Sequence, residues 1–364
     1  MITPRDAAFA QREGLAAQAA EPIGSAVSVI IPVLNEERYL ETSVGAVLNQ
    51  DFDGSIEIIL ALGPSKDATD RVAAQLCARD PRVHTVANPS GRTPTGLNAA
   101  LAQVTADVVV RVDGHCELPK DYISVAIETL RRTGADNVGG IMAARGETPF
   151  ESAVAVAMTS PLGVGGASFH IGGDEGEAQT VYLGVFRSSA LRRVDGYDER
   201  FDRAQDWEMN HRIRATGGLV WFNPAMQVSY RPRPTVKALA RQYFQYGSWR
   251  REIMRQHSGT VQLRYLAPPG AVAGVGAGLA LGLVGILGRR NNVARLACLG
   301  WAAPLGYLAA VSVGGLAIAR GEHREVKLRV PIALATMHMA WGVGFITSRR
   351  KLPVSMAESV RAVR

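Results

Sequence analysis

Three pairs of polar residues occupy matching places in this chain of 364 residues. Asn35 and Glu36 follow the run AVSVIIPVL, Ser65 and Asp67 follow SIEIILAL, and Asp113 and His115 follow ADVVVRV. Each run is short and rich in β-branched residues, as in a strand buried on both faces. Carboxylate, imidazole, hydroxyl and amide groups gathered behind such strands are the equipment of a polar ligand site. A further acidic pair, Asp206 and Glu208, opens the helical stretch QDWEMNHRIRATGG. Purely structural uses compete with ligand binding. Ser65 or Asp67 can cap the helix that follows, and Asp206 can cap a helix starting near Trp207.

The elements that must position these groups alternate strand with helix. Strands are expected over 27–33 and 55–62, in RVHTVANP and in ADVVVRVDGHCELP, with helices over 36–48, to about Ala78, in TPTGLNAALAQVTA and in DYISVAIETLRRTG. Parallel β-α-β units with right-handed crossovers give this order. Ligands of such sheets bind beyond the carboxyl ends of the strands, so the three polar pairs should converge on one edge. Residues 137–160 read as a strand, a polar connection with Arg145 and a small-residue helix. GVGGASFHIGGDEGEA reads as a flexible loop over the site. TVYLGVFRSSALRRVDGYDERF offers a short strand, a short helix and a turn, and GLVWFNPAMQVSYRPR an extended element. TVKALARQYFQYGSWRREIMRQHSG is a basic amphipathic helix.

Beyond it the composition changes. Apolar segments run over about 267–288, 294–319 and 330–347. The first two are long enough for a hydrocarbon core of about 30 Å, and the third is at the lower limit. The loops GRRNNVAR and RGEHREVKLR and the tail RRKLPVS are all basic. Positive-inside reasoning cannot keep all three on one side if every segment spans; a re-entrant segment or an odd number of spans would resolve this. A net charge of +7 fits apposition to an anionic membrane. A nucleic-acid binder would leave the apolar segments unexplained. The three cysteines share no close spacing, which excludes a disulfide framework and a zinc knuckle. The first residues lack the unbroken apolar stretch of a signal peptide, so the soluble part is expected in the cytoplasm.

Taken in order, SVIIPVLNEERYL, ALGPSKDAT, VRVDGHCELP, FDRAQDWEMNHRIR and RQYFQYGSWRRE resemble the motifs of the family 2 glycosyltransferases, and the apolar tail with HMAWGVGF resembles their membrane-anchored branch. The resemblance implies an α/β GT-A nucleotide-diphospho-sugar transferase domain, a Rossmann-like mixed sheet, followed by hydrophobic transmembrane helices. It implies donor contacts from Pro32, Asn35, Glu36, Ser65, Asp67 and Asp113, a backbone approach to a sugar at Gly184, and diphosphate contacts from Arg241, Gln242 and Arg250. Leu62 and Gly63 stand where the family has a base-reading Asp, and His115 replaces the second carboxylate of its D-x-D. Asp113 with His115 would hold Mn²⁺ or Mg²⁺, the imidazole favouring Mn²⁺; alternatively Asp113 serves the cation alone. Asp206 would be the base, with Glu208 orienting it or binding the acceptor, and one base with one cation-stabilised leaving group implies inversion.

The domain organisation implied is a tail over 1–24, a catalytic domain over 25–234, an interfacial helix over 235–260, a membrane region over 267–348 and a basic tail over 349–364. The expected reaction moves a sugar from a nucleotide-diphosphate sugar to a lipid-linked or membrane-proximal glycan, at the cytoplasmic face of the plasma membrane, alongside membrane lipids and glycan-assembly partners or a second copy. Two alternatives stay open: transfer onto polyprenyl phosphate itself, and a non-catalytic membrane scaffold that keeps the nucleotide fold.

Overall fold

The computed structural model describes residues 23, 25–257, 259–288 and 296–349. The sequence expectations for the terminal tails and for most of GRRNNVAR lie outside the described residues. Two compact units emerge. Among the described residues the first holds 23–143 and 172–229, and the second holds 144–171 and 230–349. The expected single stretch 25–234 is therefore interrupted, because residues 144–171 pack with the apolar helices.

The first unit is built on strands β1 (Ala26–Val33), β2 (Ser55–Leu62), β3 (Val83–Ala87), β4 (Val108–Arg111), β5 (Asn137–Ala144), β6 (Gly176–Glu177), β7 (Tyr182–Arg187) and β8 (Val220–Tyr230). Its helices are α1 (Leu40–Leu48), α2 (Thr69–Arg79), α3 (Thr93–Leu101) and α4 (Tyr122–Thr133), with α8 (Ser188–Arg193) and α9 (Gln205–Ala215) later in the chain. The sheet order is β3-β2-β1-β4-β7-β5-β8-β6. β1 to β4 are parallel, while β7 runs antiparallel to both β4 and β5. The sheet is thus mixed, as expected.

Period-two alternation distributes the core. Val108 and Val110 join Val29, Ile31, Leu40 and Ile123 in one buried cluster, while Val109 joins Ile30, Ile59, Leu97 and Met209 in the other. Both faces are covered, so the strands are apolar throughout. The chain leaves β1 for β2 and β3 on one side, then returns to place β4 on the other. That reversal opens a crevice at the carboxyl ends of β1 and β4. β7 carries a break: Leu183 has φ 43°, and its carbonyl accepts a 2.6 Å bond from the buried Tyr122 hydroxyl.

The glycine-rich stretch differs from expectation. It forms two single-turn helices, α6 (Pro161–Val164) and α7 (Ser168–Ile171), and then β6, which pairs antiparallel with β8. Gly165, Gly166, Gly172 and Gly173 all have positive φ, so the glycines make the turns that separate these short pieces.

The second unit contains α5 (Pro149–Met158), α6, α7, α10 (Val236–Gln256), α11 (Leu263–Leu287), α12 (Ala302–Ile318) after a 3₁₀ turn, α13 (Arg324–Lys327) and α14 (Val330–Thr347). Thr148 and Glu151 form a capping box at the start of α5. Three stretches, Leu263–Leu287, Cys298–Ile318 and Arg324–Thr347, are long and apolar enough to cross a membrane. The third gains length over the sequence reading because the turn of α13 leads into α14. α11 starts before Ala267, so Pro268 and Pro269 fall inside the helix, just past its first turn. α10 crosses α14 with almost no side chain between the backbones. A Cβ on Gly247 would lie 2.0 Å from the Trp341 carbonyl oxygen, and one on Gly344 would lie 2.1 Å from that of Phe244. The Ser248 hydroxyl donates to the Gly344 carbonyl at 2.9 Å.

This close crossing generates a prediction. Gly247→Leu must separate the two helices, and overpacking costs about 1–3 kcal/mol or more. A thermal melt in detergent should show the variant several degrees below wild type. An unchanged melting temperature would mean that the crossing is not load-carrying.

Candidate active site

The site is organised by an arginine inside an otherwise apolar strand. Arg111 ends β4 and its side chain is 4% exposed. Residues two apart on an extended segment share a face, and Arg111 Nη2 reaches Asp113 Oδ1 at 2.7 Å. Its Nη1 reaches Asp206 Oδ2 at 3.1 Å. Asp206 lies in the first turn of α9, after Ala204 in a left-handed conformation at φ 59°. No side chain caps this helix: the Asp206 carboxylate goes to Arg111, not to the helix amides, which sets aside the capping role. The helix N-terminus still favours its charge. Asp113 Oδ2 and Asp206 Oδ1 have no protein partner among the described residues.

Electrostatics follow from this geometry. Burial pulls the Arg111 pKa down, but Asp113 and Asp206 more than offset it, and the guanidinium stays charged. The Asp206 side chain is 30% exposed, yet desolvation is the largest influence and pushes its pKa up; Arg111 pulls it down and Asp113 adds a smaller push upward. The net shift is upward, which makes Asp206 a stronger base than an ordinary carboxylate.

Beside Arg111, ligand atoms of Asp113, His115 and Cys116 lie within 4.8 Å of one another. The cluster fits a divalent cation: Asp113 offers an unengaged oxygen and His115 a second ring nitrogen. His115 Nδ1 meets Glu36 Oε1 at 2.9 Å, a pairing that turns Nε2 toward a metal in carboxylate–histidine sites. Burial, reinforced by Asp113, pushes the Cys116 thiol up to about 12. The carboxylate oxygen of Asp113 and the imidazole nitrogen of His115 are donors that suit Mn²⁺. Ser43 donates to the Asp113 carbonyl at 3.2 Å and steadies the turn.

The turns after β1 and β2 are stitched together. Asn35 N donates to Ser65 Oγ at 3.0 Å, and Lys66 N donates to Asn35 Oδ1 at 2.7 Å. Glu36 N donates to Thr69 Oγ1 at 2.8 Å, and Ala68 N to Glu37 Oε2 at 2.7 Å. Asp67 accepts from Thr69 N, Thr69 Oγ1 and Glu37 N, and the Thr69 bonds hold its pKa down. Asn35, Ser65 and Asp67 thus spend polar groups on the scaffold, as the structural use weighed for Ser65 and Asp67 anticipates, but by joining the two turns to each other. Pro32 sits in β1 opposite Ala61. Next to these turns, at the ends of β2 and β3, a 310 Å³ groove is lined by Leu62, Gly63, Pro64, Thr85, Asn88 and Pro89, among others.

The remaining sequence-predicted residues have the following surroundings. Glu208 is buried and held by Arg212 through bonds of 2.7–2.9 Å. Gly184 is buried in β7, where a Cβ would meet Asn137 Oδ1 and the Phe186 ring at 2.5–2.7 Å, so its smallness serves strand packing. Arg241, Gln242 and Arg250 are on α10 in the second unit. Arg241 is exposed, Gln242 donates to the Tyr230 and Tyr246 hydroxyls at 2.8 and 3.0 Å, and the Arg250 guanidinium lies 4.1 Å from the centre of the Tyr265 ring. Sequence reasoning missed Arg111 and Tyr197. Arg111 had a signal, a charge within VVVRVD. Tyr197 did not: its buried hydroxyl has no partner among the described residues, and only the fold brings it near Asp206 and Arg111.

Comparison with known proteins agrees with this geometry. Residues 28–194 match the model of glycosyl transferase family 2. Succinoglycan biosynthesis protein ExoA of Rhizobium meliloti is 31% identical over 87% of this chain and 93% of its own length. A dolichyl N-acetyl-alpha-D-glucosaminyl phosphate 3-beta-D-2,3-diacetamido-2,3-dideoxy-beta-D-glucuronosyltransferase of Methanococcus voltae is 26% identical over 67% of this chain and 78% of its own. Among solved structures, the mannosyltransferase PcManGT of Pyrobaculum calidifontis, in complex with GDP-Man and Mn²⁺, superposes with TM-score 0.55 at 17% identity, covering 94% of this chain and 96% of that one. This last likeness is one of fold.

The clamp generates a prediction. Arg111→Met leaves two carboxylates facing each other without a counter-charge and should cost about 3–5 kcal/mol, read by thermal unfolding. Arg111→Lys keeps the charge but not the fork, and should cost less. Weakening the cation's pull raises the Asp206 pKa further, so the acid limb of the pH–rate profile should move to higher pH in Arg111→Lys. A limb that stays in place would separate Asp206 from the rate.

Proposed function

Because the chain belongs to glycosyl transferase family 2 and is a glycosyltransferase, we propose that it is an inverting enzyme that moves a sugar from a nucleotide-diphosphate donor to a lipid-linked or membrane-proximal glycan. The observation that carries this reading is the Arg111 clamp, which sets Asp113 and Asp206 side by side at the crevice between β1 and β4. The relatives support the substrate class. One is named for succinoglycan biosynthesis, another for transfer to a dolichyl-phosphate-linked sugar, and the solved structure holds GDP-Man and Mn²⁺.

Asp113 and His115 would hold the cation, with the imidazole positioned by Glu36. A divalent cation held there would supply positive charge to offset that developing on the departing nucleoside diphosphate. Asp206, ionised and with Oδ1 open, takes the proton from the acceptor hydroxyl. The new bond joins that oxygen to the anomeric carbon, while the bond from the anomeric carbon to the diphosphate oxygen breaks on the opposite face. The configuration inverts. The groove at the ends of β2 and β3 is the place for the nucleotide base, with Gly63 where a carboxylate reader would stand. The three apolar stretches anchor the protein in the plasma membrane as a multi-pass protein, with the catalytic residues on the cytoplasmic side, where activated donors are made.

A second reading, transfer onto polyprenyl phosphate, draws on Arg111 itself. An arginine that holds Asp206 restrains its basicity, and an acceptor already ionised needs no base. The test uses purified protein, Mn²⁺, a panel of nucleotide sugars and a native lipid extract. Asp113→Asn is expected to abolish transfer, and Asp206→Asn to lower it by about 10²–10⁴-fold. Abolition by Asp113→Asn with near-normal transfer by Asp206→Asn selects polyprenyl phosphate. Full activity in both variants rejects the mechanism.

A further inference from the structure

The second unit contains a groove of about 520 Å³ that the proposed reaction does not use. Its walls are Arg251, Met254 and Arg255 of α10, Leu266 and Pro269 of α11, and Phe345 of α14, among others. The volume falls in the range of small-ligand clefts, about 300–1,000 Å³. Its lining is one-sided in charge: two arginines, apolar side chains and no carboxylate.

The position of the groove is set by helix ends. α11 has 25 residues, about 37 Å at 1.5 Å per residue, against a hydrocarbon core of about 30 Å. A spanning helix of that length extends past the core by about 7 Å, and Arg264 in its first turn marks this end as the one at the headgroups. The last turn of α14 meets those first turns here, where a Cβ on Gly342 would lie 2.5 Å from the Pro268 carbonyl oxygen. Arg251 Nη1 donates to the Phe345 and Ile346 carbonyls at 2.8 and 2.9 Å, and Arg255 Nη2 to that of Ser348 at 2.8 Å. Both cations cap the final carbonyls of α14. Arg255 is further matched by Glu252 at 2.9 Å. Among the described residues Arg251 has no carboxylate partner and its Nε and Nη2 donate no hydrogen bond, the guanidinium lying 5.4 Å from the centre of the Phe345 ring.

We propose that this groove binds an anionic phospholipid of the bilayer, its phosphodiester on Arg251 and a chain lying along Leu266, Pro269 and Phe345. Basic recesses between membrane helices recognise lipid phosphate in this way. Among the described residues the lining contains no hydroxyl, amide or carboxylate side chain to read a sugar, which favours a bulk phospholipid over a glycan-bearing carrier.

The test measures lipid retention by native mass spectrometry on the full-length protein, delipidated and then given phosphatidylglycerol or phosphatidylcholine of identical chains. Wild type should retain one phosphatidylglycerol about fivefold more tightly than phosphatidylcholine, from one arginine at the surface. Arg251→Gln should erase the preference. Because Arg251 also caps α14, Gly270→Leu provides an independent arm. A Cβ at Gly270 meets nothing within 4 Å, so the leucine fills the groove, which Gly270 lines, and leaves both arginines in place. It should lose phosphatidylglycerol at an unchanged lipid-free melting temperature. Equal retention of the two lipids by wild type, or undiminished retention by Gly270→Leu, overturns the proposal. So does polyprenyl phosphate held far more tightly than phosphatidylglycerol and lost with the same substitutions. Since the readout is lipid mass and not sugar transfer, its failure is distinguishable from failure of the catalytic reading.

Discussion

A guanidinium buried at the end of a strand needs anions around it, and this requirement shapes the first unit. Arg111 cannot be neutralised by losing its proton, so Asp113 and Asp206 have to be brought to it from two different elements. Satisfying it fixes the turn after β4 and the approach of α9 together. The same contacts hold two negative charges close to each other without neutralising either. Two carboxylates from separate elements thereby share one guanidinium in a single crevice. Ala204, in a left-handed conformation, is a local strain at the point where the chain turns to deliver Asp206.

The sheet explains why this crevice lies where it does. Parallel strands β1 and β4 are neighbours, but their connections depart to opposite sides. The backbone therefore opens at their carboxyl ends, and polar residues are found there because nothing apolar covers them. The second unit follows another rule. Where α10 crosses α14, glycines bring backbone against backbone, so the contact rests on close packing and on the Ser248 hydroxyl at the Gly344 carbonyl.

Much of this was legible in the sequence. β-branched runs located strands β1, β2 and β4, and their polar sequels identified one edge of the sheet. The pairing of Asp113 with His115 was readable because both stand in one turn. The rest depended on tertiary register. The capping role weighed for Asp206 rested on its place before a helix, and only the fold shows its carboxylate turned to Arg111. Glu208 reads from the sequence as a partner of Asp206 or a contact for the acceptor, and two residues further along the helix the fold buries it against Arg212. The glycine-rich stretch reads as a loop by composition, yet pairing with β8 converts two of its residues into an edge strand. Gly184 looked like a ligand approach, because a sequence cannot distinguish a glycine made small by a ligand from one made small by Phe186.

The stitched turns after β1 and β2 have a consequence for how this scaffold can be altered. Backbone amides of one turn end on side chains of the other, in both directions, and Glu36 carries the linkage on to His115. The two turns therefore behave as one cassette. Grafting either turn alone from a relative strands donors and acceptors on the other, and disturbs the imidazole as well. Either turn can be exchanged only by moving both together, which makes the pair, and not the single residue, the natural unit of inheritance.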